Sequence, residues 1–329
     1  MKSVPALSRR EFLITSVVAA ASIRCAIAAP NPAEPIIDIH QHTNYGGKKD
    51  PVSFLKNGPG RSDEDMLAHQ RAMGVTKTIL LPAGRPVDRP STHAGRANGL
   101  QGTVSGNDHA LMLARKYPNE FAFGANEVSD LPDAPAVIRK YLELGACVIG
   151  EQKFGVECDS AEMQKLYQLA ASFNVPILMH WQVGTFNHGF ERFHKMLGKY
   201  PKVNFIGHAQ TWWASIDQMN GKDPKNLYPK GPVKAGGLTD RYLRDYPNMF
   251  ADLSAGSGEN AFKRDPEHAR AFFKRHQDKL LYGSDCNDAT GEAKVCSGVR
   301  QIAQVRQFSP NKTAERKILH DNARKLFRL

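Results

Sequence analysis

The chain has 329 residues, with 44 Lys and Arg against 33 Asp and Glu, a formal charge of +11. Hydrophobic residues make up 41% and charged residues 23%, a globular balance that excludes a disordered or collagen-like chain. The length suits one large domain or two of ordinary size. The basic excess raises the question of a nucleic-acid partner, and its placement along the chain answers it.

Part of the charge lies in an N-terminal address. Residues 7–13 read Leu-Ser-Arg-Arg-Glu-Phe-Leu, an apolar run extends from Phe12 to Ile23, and Ala26-Ile27-Ala28 has the small-x-small pattern of a signal-peptidase site. Paired Arg9-Arg10 followed by Phe12 and Leu13 resembles a twin-arginine export signal. The run is too short to span a bilayer comfortably, so no stable membrane anchor is expected. Arg24 before Cys25 argues against a lipoprotein box. The expectation is recognition by the twin-arginine export machinery, cleavage near Ala28/Ala29 and a periplasmic mature protein of residues 29–329. Loss of Lys2, Arg9, Arg10, Arg24 and Glu11 leaves +8. That charge is dispersed and no nucleic-acid reader motif accompanies it, so no nucleic-acid partner is expected. Twin-arginine export carries folded proteins, often with a cofactor installed, which favours a metal or cofactor site. Cys147, Cys158, Cys286 and Cys296 remain after cleavage and form no CxxC pair. Cys147 reads as a buried small hydrophobe, and disulfides are permitted but not required in a domain this large.

In chain order, apolar runs predict strands at Pro35–Ile39, Lys77–Leu81, Phe121–Ala125, Cys147–Gln152, Pro176–His180, Val203–Gly207, Met249–Leu253 and Lys279–Gly283. Most are near-continuous rather than alternating, as in a parallel sheet covered on both faces. Between them lie helix-like segments at Asp63–Met73, Asp108–Lys116, Ala136–Leu144, Ser160–Phe173, Gly189–Lys199 and Pro266–Arg275. Eight strands alternating with helices predict a single (β/α)8 TIM barrel. A doubly wound open sheet is the alternative, and the absence of GxGxxG after the first strand weakens its dinucleotide version. Two connections are long, Pro82 to Asn107 and Gln210 to Thr239. Both follow a strand and so belong to the C-terminal face, where barrel active sites are built.

Titratable residues end several of these runs. His40 and His42 close the first strand in Asp38-Ile39-His40-Gln41-His42; with a two-residue period they point the same way and can share one ion. His180 ends the fifth strand, His208 the sixth, and Asp285 follows the eighth. One HxH is a common accident, but five such placements at strand ends are not. Three histidines and one carboxylate suit a divalent ion, Zn2+ or Mn2+, with one position left for water.

On the DIHQH opening, the MHW and IGHAQ strand ends, the LLYGSD run and the terminal Ile318–Phe327 segment, residues 35–329 resemble the amidohydrolase superfamily. The similarity is to the branch containing aminocarboxymuconate semialdehyde decarboxylase, related decarboxylases and small-ring lactonases. The resemblance implies that His40, His42, His180 and Asp285 ligate metal and that His208 is catalytic or supports the ligands. On the fourth strand Glu151 and Lys153 lie two apart, and either, Lys in carboxylated form, is able to bridge two ions, as in two-metal members; one ion is the default. Asp285 would relay a proton and His208 would stabilise developing oxyanion charge. Trp181, Trp212 and Trp213 are candidate aromatic walls for a ring substrate, and Arg85, Arg89 and Arg96 candidate anchors for its carboxylate. The expected activity is metal-dependent hydrolysis of a C–O or C–N bond in a small, cyclic or aromatic carboxylate. Non-oxidative decarboxylation on the same site is the alternative, a non-catalytic binding barrel is disfavoured by the complete ligand set, and homo-oligomerisation is left open.

Overall fold

The computed structural model describes residues 34–43, 61–84, 92, 104–287 and 296–329. The proposed export segment, Arg85, Arg89 and Arg96 lie outside these residues. The eight strands are β1 (Ile36–Gln41), β2 (Val75–Leu80), β3 (Phe121–Phe123), β4 (Ile149–Gln152), β5 (Ile177–His180), β6 (Phe205–His208), β7 (Met249–Asp252) and β8 (Leu280–Leu281). Each overlaps a run expected from the sequence, β1 and β6 ending later and β2 starting earlier than expected. All pairings are parallel, in the orders β1-β2-β3 and β4-β5-β6-β7-β8. A parallel bridge from Ala125 to Ile149 joins the two sheets on one side. On the other, Ile39 N donates to Tyr282 O at 3.1 Å and Asp285 N to His40 O at 2.8 Å. The sheet is therefore a closed eight-stranded barrel.

Helices return the chain between strands. Ser62 caps α1 (Asp63–Ala72) with a reciprocal capping box to Asp65, and Ser160 caps α4 (Ala161–Phe173) through Met163 N. The others are α2 (Asn107–Lys116), α3 (Ala134–Glu143), α5 (His194–Lys199), α6 (Gln210–Ala214), α7 (Leu238–Asp245), α8 (Ala255–Lys263), α9 (Pro266–His276), α10 (Ser297–Phe308), α11 (Lys312–Arg316) and α12 (Asn322–Phe327). The long connection after β6 is not a bare loop; it contains α6 and a 3-10 turn at Gln218–Lys222. Among the described residues no helix is long and apolar enough to cross a membrane.

Two apolar layers result. Ile37, Ile39, Ile79, Leu81, Val148, Leu178, Ile206 and Leu281 fill the barrel interior, closed at its base by Ala323 and Phe327 of α12. A larger layer lies between strands and helices and contains Trp181, Trp212, Trp213, Phe205 and Phe272.

Two strands depart from strict alternation, and both departures bear on function. In β1, Asp38 pairs with Thr78 and Gln41 with Leu80, so three steps of β1 match two of β2. In β4, Ile149 pairs with Ile177 and Gln152 with Met179, the same mismatch. Each is a β-bulge, which re-aims the side chains beyond it. Ile37 and Ile39 face the interior, so unbroken alternation would turn His40 and His42 outward. The bulge turns them in, and that in β4 does the same for Glu151.

Candidate metal centre

At the C-terminal mouth these side chains converge. His40 Nε2 lies 3.1 Å from His42 Nε2. Glu151 Oε2 is 3.3 Å from His42 Nε2 and 3.6 Å from His40 Nε2. Its other oxygen, Oε1, is 2.5 Å from His180 Nδ1 and 3.6 Å from His208 Nε2. Asp285 faces the same space, 3.6 Å from His42 Nε2, 3.8 Å from His40 Nε2 and 3.9 Å from His208 Nε2. His180 and His208 are direct register partners on β5 and β6. All five strand-end residues anticipated from the sequence are thus together, with Glu151 at their centre.

The far ring nitrogens are held from behind. His42 Nδ1 lies 2.8 Å from Leu81 O. Asp252 Oδ2, at the end of β7, lies 2.6 Å from His40 Nδ1 and 3.1 Å from His208 Nδ1, and Ser254 Oγ is 3.1 Å from His208 Nδ1. Such contacts set the tautomer and leave Nε2 free to ligate. Space for this packing depends on Gly283, where a Cβ would stand 2.5 Å from Asp252 Oδ1 and 2.9 Å from His40 Cβ. Backbone strain gathers here: Ala209, Ala255 and Asp285 have φ of 79°, 63° and 42° at the ends of β6, β7 and β8.

The charges suit a cation. Burial opposes ionisation of Glu151, but Lys153 and His180 hold its carboxyl well below the usual range. Burial and Lys153 push His180 down to about 4 against the pull of Glu151, leaving a neutral imidazole. Burial likewise opposes the charged form of Asp252, which His40 and His208 nevertheless hold low. For His40 burial works against protonation, yet the Asp285 and Asp252 carboxylates raise its pKa well above the ordinary value. Anionic Glu151 and neutral His180 are already in the forms that bind a divalent ion, whereas His40 would have to give up its proton to ligate one.

Three donor triads are within ligating reach at the mouth: His40 with His42 and Glu151, Glu151 with His180 and His208, and His40 with His208 and Asp252, the last through the Nδ1 atoms that Asp252 already holds. Glu151 Oε2 is buried without a hydrogen-bond partner, as expected of an oxygen reserved for an ion. The residues present fit a divalent metal.

The family model for amidohydrolases matches residues 37–329. The chain belongs to the amidohydrolase family. No curated protein is a significant match to its sequence. Among solved structures, this amidohydrolase is similar to a probable 2-pyrone-4,6-dicarboxylic acid hydrolase from Acinetobacter baumannii with citric acid bound, at 14% identity and TM-score 0.57, covering 89% of this chain and 99% of that one. It is also similar to a 5-carboxyvanillate decarboxylase from Novosphingobium aromaticivorans complexed with manganese and a nitrobenzoic acid, at 15% identity and TM-score 0.57, covering 92% and 98%. A third is 2,6-dihydroxybenzoate decarboxylase from Rhizobium, at 15% and TM-score 0.54, covering 90% and 99%. At these identities the likeness is one of fold.

Two residues singled out in the sequence of this amidohydrolase sit elsewhere. Trp181 and Trp212 have no exposed surface and do not line the mouth. Trp181 follows inward-facing His180, so alternation turns it outward onto Phe190 and Phe193, with ring centroids 5.1 and 4.7 Å away. Trp212 packs on Phe190 and Trp213 in the same layer. Trp213 reaches the centre only through its N–H, which donates to Asp252 O at 2.9 Å. Lys153 is half-buried, its Nζ 5.8 Å from the Phe186 ring centroid, and acts on Glu151 and His180 through charge.

Sequence reasoning passed over Asp252, although it ends the seventh apolar run as the chosen residues end theirs. It also passed over Asn126, whose side chain donates to Pro82 O and Glu151 O at 3.0 and 2.8 Å and accepts from Gln152 at 2.7 Å. That network braces the β3 and β4 ends beside Glu151. A cavity of about 640 Å3 lies beyond β5 and β6, lined by Asn187, Phe190, Thr211 and Arg241 among others, with none of the donors in its wall.

Proposed function

We propose that this chain is a metal-dependent hydrolase acting on a C–O or C–N bond of a small cyclic or aromatic carboxylate. The observation that carries the reading is the position of Glu151 as the donor common to two of the three triads, the two that draw on different histidines. It supports a centre in which His40, His42 and Asp285 would hold one divalent ion and His180 and His208 a second, with Glu151 within reach of both. The sequence alone favoured one ion. The convergence of five residues on one carboxylate favours two, and the softness of the donors admits Zn2+ or Mn2+. Bound there, divalent metal would polarise a substrate carbonyl and make water more acidic.

The chain's own groups supply the rest. The Asp285 side chain is 29% exposed, so its carboxylate is open to the mouth and accepts the proton of an attacking water, then returns it to the leaving group. His208, braced by Asp252 and Ser254, presents Nε2 to developing oxyanion charge. The substrate's carboxylate falls to the arginines of the segment after β2.

A second reading, non-oxidative decarboxylation of an aromatic acid, is favoured by the decarboxylases among the similar structures. Asp285 would then deliver a proton to the carbon that loses CO2. Turnover of a panel of lactones, esters and aromatic acids in H2(18)O separates the readings. Label in a newly formed acid supports hydrolysis; CO2 release with no label in the product supports decarboxylation and ends the hydrolase reading. Export through the twin-arginine route to the periplasm with cleavage near Ala28/Ala29 is part of the proposal; protein confined to the cytoplasm would overturn the export, and periplasmic protein beginning at Met1 would overturn the cleavage.

A further inference from the structure

A second donor cluster lies outside the barrel wall, in the layer between strands and helices. His69 and Met73 are four residues apart at the end of α1 and share a face. Cys286 follows β8, and Cys296 is the N-cap of α10. Cys296 Sγ stands 3.2 Å from His69 Nε2, 3.2 Å from Cys286 Sγ and 3.4 Å from Met73 Sδ. All four residues are buried, and His69 has no exposed surface.

Two observations single the cluster out. His69 Nε2, the ring nitrogen turned to the sulfurs and the one that would ligate, meets only the Cys296 sulfur among the described residues, a weak hydrogen-bond partner. A buried imidazole so poorly served is costly unless its nitrogen has another partner. Gly298 also clears the way for the thioether, since a Cβ there would lie 2.6 Å from Met73 Sδ.

We propose that His69, Met73, Cys286 and Cys296 form a separate site for a soft monovalent cation, Cu(I). Three sulfurs and one imidazole are a soft donor set, and a thioether offers nothing to Mg2+, Ca2+ or Mn2+. A disulfide between Cys286 and Cys296 would use neither the imidazole nor the thioether. Around an ion with bonds of about 2.3 Å, tetrahedral sulfurs stand about 3.7 Å apart; the three partners of Cys296 Sγ stand a few tenths of an ångström inside that spacing, and His69, Cys286 and Cys296 all lie within 4.8 Å of one another. Binding releases both thiol protons to solvent and leaves one net negative charge. Buried Arg61, which donates to Cys286 O at 2.9 Å, stands beside it.

The test uses the full chain, reduced and anaerobic, with its carboxylate–histidine centre filled by Mn2+. Cu(I) is added and then competed with bicinchoninate. The expected result is one retained copper per chain with sulfur scatterers in X-ray absorption, lost in C296S and weakened in M73L, with manganese content unchanged in both. M73L keeps the test valid if C296S fails to fold. Copper removed as easily from the wild type as from M73L, retained copper without sulfur scatterers, or purified protein carrying a Cys286–Cys296 disulfide would each overturn the proposal.

Discussion

Asp252 Oδ2 lies 2.6 Å from His40 Nδ1, and neither side chain has exposed surface. The same oxygen reaches His208, so one carboxylate from β7 orients imidazoles from β1 and β6. Removing such a partner costs about 10–100-fold in metal affinity or activity. D252N should therefore lower kcat and metal retention together while H42A abolishes both. Metal analysis with steady-state kinetics checks this, and a D252N enzyme with full metal and full kcat would refute the orienting role.

Glu151 belongs to two of the three donor triads at the mouth. Wild-type protein should hold close to two divalent ions per chain and E151A one or fewer. A stoichiometry of one in the wild type would return the centre to a single ion.

Gly283 packs closely against both Asp252 and His40. In G283A a methyl group must displace a buried carboxylate or an imidazole, and overpacking of this kind costs about 1–3 kcal/mol. Urea unfolding should show that loss, with a fall in kcat larger than any change in KM. Unchanged stability and kcat would mean that the strand end yields without effect.

Asp240 on α7 gives a pH signature away from the mouth. Burial opposes its ionisation, but hydrogen bonds and charge from His276 and Arg275 lower its pKa to about 2 from 3.8. A depressed carboxylate stabilises the fold fully above its unfolded pKa and loses that contribution as pH falls toward its folded one. The shift corresponds to about 2 kcal/mol. D240N should be less stable than wild type by that amount at pH 7, with the gap closing below about pH 4. A gap constant from pH 7 to pH 3 would contradict the linkage.

The strands were legible because a buried parallel strand needs a near-continuous apolar run, and His180, His208 and Asp285 each end or follow one. The tryptophans misled because adjacency to His180 or His208 in the chain says nothing about facing; in a strand the next residue faces the other way, and Trp181 does so. Asp252 carried the same signal as its neighbours but looked like an ordinary strand terminus. Its role depends on two histidines that both lie more than forty residues earlier in the chain.

By itself the sequence determined the alternation of eight strands and helices, hence the barrel, and the presence of titratable groups at its mouth, because burial and period are local properties of a chain. Which way those groups point was decided by tertiary structure. His40, His42 and Glu151 face the mouth only because β1 beyond Asp38 and β4 beyond Ile149 each fit three steps against two of the strand they pair with. A bulge is a property of two strands in register, and neither strand alone specifies it.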